Sequence, residues 1–169
     1  LGDIEAGGLH LALDAGKESI VIDFQQSVEV DQFDKLASAV DIVLLSCSTK
    51  LDRTLLERHI ALRDTNPELV LGVHTPFGVD GPYSDRSSSE IVDYAMGGYM
   101  YFSGDPEREP LLAPGFQAEF HAGMQLAFGA MVGAYHSLKT GQGQTVEVST
   151  FESMLNAHSW LTSSWTHEG

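Results

Sequence analysis

At 169 residues the chain is long enough for one domain with a real core and too short for two comfortable ones. Its 43% hydrophobic and 20% charged content is that of an ordinary globular protein, and no apolar run approaches the ~20 residues a membrane span requires. Twenty-four acids against nine bases give a formal charge of −15, a field that repels phosphate backbones and argues against nucleic-acid binding.

The opening LGDIEAGG has neither the basic start nor the apolar core of a signal peptide. With no initiator methionine and no clear cap at the other end, the chain reads as a piece of a longer protein. SIVIDF (19–24) follows a Gly-Lys turn and reads as a β-strand. Residues 30–39 carry Val30, Phe33, Leu36 and Ala37 at helical spacing, continuing to Val40. DIVLLSC (41–47) is a continuous apolar run, the mark of a strand buried on both faces. The next helix signal puts Leu51, Leu55, Ile60 and Leu62 inside and Arg53, Arg58 and Arg63 mostly outside. It stops at Asn66-Pro67, because proline disfavours helix in the residue before it. LVLGVHTPFG gives a third buried strand.

Strands and helices alternating at these intervals predict a Rossmann-like α/β fold, a parallel sheet flanked by helices. Ligands of such sheets bind at the carboxyl ends of the strands. Those ends are Asp23-Phe24-Gln25, Ser46-Cys47-Ser48 and Thr75-Pro76-Phe77-Gly78. GVDGPYSDRSSS (78–89) and SGDPEREP (103–110) are polar, turn-rich loops, and residues 90–100 predict a helix ending near Gly97-Gly98. Residues 119–138 are mostly Ala, Gly, Met, Leu and Phe, which predicts a buried helix. Gly129, Gly133, Ala122 and Ala130 permit close approach of its neighbours. TGQGQ then stops the helix, with Gly141 or Gly143 able to take a positive φ, and TVEVS follows as a strand.

Few residues bring chemistry of their own. TGQGQ precedes a strand rather than opening a helix, so it is no phosphate loop, and no GxSxG elbow supports a hydrolase. The seven histidines lack ligand spacing, and His121, two residues after Glu119, lies on a different helix face. A lone cysteine, Cys47, forbids an internal disulfide or a Cys-rich zinc site and fits a reducing cytoplasm; an inert buried thiol is its expected state. Glu119 stands at a helix start, where unpaired N–H groups and partial positive charge keep a carboxylate ionised. Either it is an end charge worth under ~1 kcal/mol, or it is a nucleophile.

Six segments in one order decide what to expect. GKESIVIDF (16–24), VDIVLLS (40–46) with LDR (51–53), NPELV (66–70), TPFGVDGPYSDR (75–86), AMGGYMYFSGDPEREP (95–110) and TGQGQTVEVSTFES (140–153) are collinear with the segments of one family. Over nearly its whole length the chain resembles the family III CoA-transferases, the CaiB/BaiF family, which includes formyl-CoA and carnitine CoA-transferases. The resemblance implies that residues 1–169 are a single α/β domain, an incomplete copy of the family's large domain. It implies CoA transfer between an acyl-CoA and a carboxylic acid, with CoA as substrate and no permanently bound cofactor. It also implies an interlocked homodimer for the whole protein.

In that family an aspartate four residues before a glycine attacks the thioester; the matching residue is Glu119, four before Gly123. Arg53 matches the phosphate-contacting arginine of Leu-Asp-Arg, and the resemblance puts Ile22, Ser46, Cys47 and Arg86 among the CoA-contacting positions. The chain departs from the family elsewhere. Ala6 and Glu18 stand where the family has arginines, Gln25 replaces a basic residue, and Ser46-Cys47 replaces Asn-Phe. Those losses point to an alternative, a non-catalytic member acting as a structural or regulatory partner. The family's racemases use a histidine before an aspartate. Ser89 and Glu90 occupy those positions, which disfavours racemisation because half the acid–base pair is gone.

Overall fold

A computed structural model describes residues 2–24, 26–47 and 53–168; of residues 2–6, 53–55, 162 and 168 only the backbone is described. The chain falls into two compact units, residues 1–35 and 36–169.

The first unit opens with helix α1 (Gly2–Leu13), which the sequence pattern did not announce. Asp14 then closes a turn, its carboxylate accepting from Lys17 Nζ at 2.7 Å. Residues 17–23 form no strand, contrary to the reading of SIVIDF. Val21 is 91% exposed and Ile20 60%, and no described strand pairs with the segment. β-rich composition favours a pleated, half-buried surface, and without a ladder partner it yields only extended chain. Helix α2 (Ser27–Ala37) follows and carries its last two residues into the second unit. Its entry is fixed within the first unit by Glu29 Oε2, which accepts the N–H of Asp23 at 2.6 Å.

The second unit alternates strand and helix: β1 (Ile42–Ser46), α3 (Arg53–Thr65), β2 (Val70–Thr75), α4 (Glu90–Met96), α5 (Tyr99–Phe102), α6 (Gln117–Thr140), β3 (Thr145–Ser149), α7 (Thr150–Ala157) and α8 (Trp160–Glu168). The three strands form a parallel sheet in the order β1-β2-β3, with Leu44 opposite Gly72 and Val73 opposite Glu147. The expected α/β fold is therefore present. Only the central strand, β2, is buried along its length. β1 is half-exposed, with Leu44 at 55%, so its apolar run does not mark burial on both faces. In the described sheet it is an edge strand.

β2 presents alternate residues to two sides. Leu71 and Val73 pack with Val43, Leu45, Cys47, Leu56 and Val79. Val70, Gly72 and His74 face α6. A Cβ on Gly133 would lie 3.0 Å from Val70 Cγ1, and one on Gly72 would lie 3.1 Å from Leu126 Cδ1. Small residues let helix and sheet approach this closely, as the Gly129, Gly133, Ala122 and Ala130 pattern predicts.

In α3 the sequence assigned the faces incorrectly in part. Leu62 is buried, but Ile60 is 44% exposed and His59 is buried. Arg63 turns inward and donates from Nη2 to the carbonyl of Gly143 at 2.5 Å. Leu51 lies outside the described residues, as does the Leu55 side chain. Helix α6 is not buried all round either: Ala118, Ala122, Leu126, Ala130, Gly133 and Ser137 are buried, while Phe128, Met131, Tyr135 and Leu138 are 65–84% exposed. Composition alone does not distinguish a one-sided apolar helix from a central one.

The TGQGQ stop divides its two glycines by task. Gly141 takes φ +72° and donates its N–H to Ser137 O at 2.7 Å. Gly143 donates to Pro67 O at 2.7 Å, and any Cβ on it would fall on the Leu69 carbonyl. Among the described residues no helix is long and apolar enough to cross a membrane.

Candidate active site

The carboxyl ends of the strands converge with the start of α6, and four groups meet there. His74, near the end of β2, is 7% exposed. Its Nδ1 lies 2.9 Å from Ser46 Oγ at the end of β1, and its Nε2 lies 2.8 Å from Thr150 Oγ1 at the start of α7. The His74 carbonyl also accepts the N–H of Cys47 at 3.1 Å. Burial pushes the imidazole below its ordinary proton affinity, and the nearby Glu119 carboxylate acts in the opposite sense. The ring is therefore neutral near pH 7, with one N–H and one lone pair.

Glu119 arrives in this place through the helix period. Gly133 packs on Val70 and Leu126 on Gly72. Seven residues further back along α6 is Glu119, and two further on in β2 is His74. The pair lies within electrostatic reach. Glu119 is exposed and belongs to the first turn of α6. That turn has no side-chain cap of its own; instead Glu90 Oε1, from α4, accepts the N–H of Ala118 at 2.9 Å. The other Glu90 oxygen is buried without a hydrogen-bond partner.

Asp93, one turn along α4, is 1% exposed and accepts from Ser88 Oγ at 2.5 Å. Burial raises its carboxyl to about 6; the Ser88 hydroxyl opposes that, and the Glu119 and Glu90 charges add to it. On the far side Ser149 is the N-cap of α7. Its Oγ accepts from Glu152 N at 3.2 Å and donates to Glu152 Oε2 at 2.8 Å.

The sequence-predicted residues divide accordingly. Ser46 and Glu119 both lie in contact or electrostatic reach of His74. Cys47 is half-buried against the Leu71 and Val73 cluster and tied through its backbone. Arg86 is exposed beyond β2, its guanidinium 5.3 Å from the Tyr83 ring centre; Tyr83 is 5.9 Å from Phe77, which is 6.2 Å from Phe151. Arg53 begins α3, and its side chain lies outside the described residues. Ile22 is half-buried in the extended segment of the first unit. His74, Thr150 and Asp93 were not singled out: a lone histidine in an apolar run reads as core, and no motif marks the other two. Among the described residues no three His, Cys, Asp or Glu side chains are grouped to hold a metal ion.

A family model described as CoA-transferase family III matches residues 3–169. The chain belongs to CoA-transferase family III. It is 29% identical over 167 residues to the succinyl-CoA:(R)-benzylsuccinate CoA-transferase subunit BbsE of Thauera aromatica, covering 98% of this chain and 40% of that one. It is 25% identical over 152 residues to the succinate–glutarate CoA-transferase of Agrobacterium fabrum, covering 89% and 38%. A CaiB/BaiF family protein from Brucella suis has the same fold, with a TM-score of 0.81 at 24% identity over 91% of this chain and 41% of that one. The chain thus spans about two-fifths of the length of these relatives.

Proposed function

We propose that this chain is most of the large α/β domain of an enzyme that transfers CoA between an acyl-CoA and a carboxylic acid, with Glu119 as nucleophile. The observation that carries the reading is the placement of Glu119: an exposed carboxylate in the first turn of α6, at the carboxyl edge of the sheet. A carboxylate in such a place can serve as the nucleophile of an acyl transfer.

In this reading a Glu119 oxygen attacks the thioester carbonyl. The C–S bond breaks, CoA leaves as thiolate, and an acyl–glutamyl anhydride remains. The thiolate returns to the Glu119 carbonyl, expelling the donor carboxylate and leaving a glutamyl thioester. The acceptor carboxylate attacks that thioester, CoA leaves again, and its thiolate takes the acceptor acyl group from the second anhydride. Glu119 is regenerated. Ser46, Cys47, Ile22, Arg86 and Arg53 serve as CoA contacts, with Arg53 at the phosphates. A homodimer of the whole protein in the cytoplasm belongs to the same proposal.

Kinetics of the full-length protein test it. Glu119→Gln, which keeps shape and removes the charge, should lower kcat by about 10³-fold or more. Transfer that survives Glu119→Gln would remove the nucleophile assignment.

A second reading is favoured by the lost cations. With Ala6, Glu18 and Gln25 at otherwise basic positions in a chain of charge −15, a non-catalytic partner subunit that no longer binds CoA is the alternative. Calorimetric titration of the full-length protein with CoA separates the two: measurable binding favours the enzyme, and none favours the partner.

A further inference from the structure

We propose that His74 is a positioning residue for CoA: bridging Thr150 to Ser46, it holds the Ser46 hydroxyl where the ligand meets it. The inference rests on the reading of Ser46 as a CoA contact. It adds a residue that neither composition nor motif had marked.

The bridge joins three elements that are far apart in sequence. Ser46 lies 28 residues before His74, and Thr150 lies 76 after it. Two members are buried, His74 at 7% and Thr150 at 1% exposure, whereas Ser46 remains exposed. Two fixed anchors and one accessible hydroxyl form the geometry of a group held for something outside the protein. The anchors are themselves secured. Thr150 follows the Ser149 capping residue of α7, and His74 also holds the next residue, Cys47, through its backbone carbonyl.

The chemistry of the ring gives the bridge a direction. A neutral imidazole has a single N–H, so it donates to one hydroxyl and accepts from the other. If it donates to Thr150, the Ser46 O–H donates a hydrogen bond to the ring and the serine offers lone pairs to a ligand N–H. If it donates to Ser46, the serine proton is released for a ligand oxygen. Either way the polarity of Ser46 is set by Thr150 through the ring. CoA, with its amides and phosphates, supplies both kinds of partner. Such a device acts on binding and leaves the bond-making at Glu119 largely alone.

The experiment is a KM and kcat comparison on the full-length protein with acyl-CoA as varied substrate, alongside CoA titration. His74→Ala and Ser46→Ala should each raise KM about tenfold, the effect of one lost hydrogen bond, with kcat within about twofold. The double variant should be no worse than either single one, because the two act in series. Thr150→Val, buried away from ligand, should raise KM by the same route. His74→Asn, whose amide can replace the Nδ1 contact, should recover part of the loss and serves if His74→Ala fails to fold. Additive effects, or a fall in kcat at constant KM, would overturn the positioning role. A wild-type protein that binds no CoA would overturn the underlying functional reading first, before any substitution is compared.

Discussion

Glu90 Oε1 accepts the N–H of Ala118 at 2.9 Å, so a side chain of α4 caps the turn that carries Glu119. Capping from another helix couples the position of the proposed nucleophile to that of α4. Glu90→Ala leaves a buried N–H without its acceptor and should cost about 1–3 kcal/mol in urea unfolding. Glu90→Gln keeps the acceptor, and its amide replaces an oxygen that has no partner. It should remain within about 1 kcal/mol of the parent. Equal loss in both variants would show that charge, not capping, is what Glu90 supplies.

Asp93 makes stability depend on pH. The folded carboxyl keeps its proton to about pH 6, while the unfolded one releases it near 3.8. Between those values the folded state binds more protons, so stability falls as pH rises through the window. The full loss is on the order of 2–3 kcal/mol. Asp93→Asn should abolish it, so that thermal melts at pH 4 and pH 7 differ in favour of pH 7 more than in the parent. An unchanged pH profile would contradict this.

His74 acts in the opposite direction. Its folded proton affinity is depressed, so its contribution is complete above pH 6.5 and is lost as pH falls below that value, where the unfolded chain takes up the proton. His74→Asn should flatten the acid side of the melting profile below pH 6.5. A profile as steep as the parent's would assign that acid loss to other groups.

Two glycines, one in the TGQGQ stop and one inside α6, should respond differently. Gly143→Ala places a Cβ on the Leu69 carbonyl, where backbone must move, and should destabilise by at least about 3 kcal/mol or prevent folding. Gly123→Ala meets nothing within 4 Å inside α6 and should stabilise by up to about 1 kcal/mol. Denaturant midpoints of the two variants distinguish these outcomes, and a tolerated Gly143→Ala would refute the close approach.

These glycines also mark how far the sequence could be read. The TGQGQ stop and the small-residue stripe of α6 were legible because each encodes a local requirement, a positive φ or a close approach. β2 was legible because it is buried along its length. SIVIDF was not, since its composition is the same whether or not a strand pairs beside it. Nor was the exposed side of α6, whose Phe128 and Leu138 carry no sequence sign of facing outward. The candidate site was half visible: Glu119 and Ser46 were proposed from motif register, while His74 is defined by partners 28 and 76 residues away, a relation that no local pattern records.

The central claim is that Glu119 bonds covalently to the transferred groups. Peptide mass spectrometry of the full-length protein, quenched during turnover with an acyl-CoA, tests it directly. The account predicts an acyl or CoA mass addition on the peptide containing Glu119, absent from Glu119→Gln. Active protein with no adduct on that peptide would contradict it.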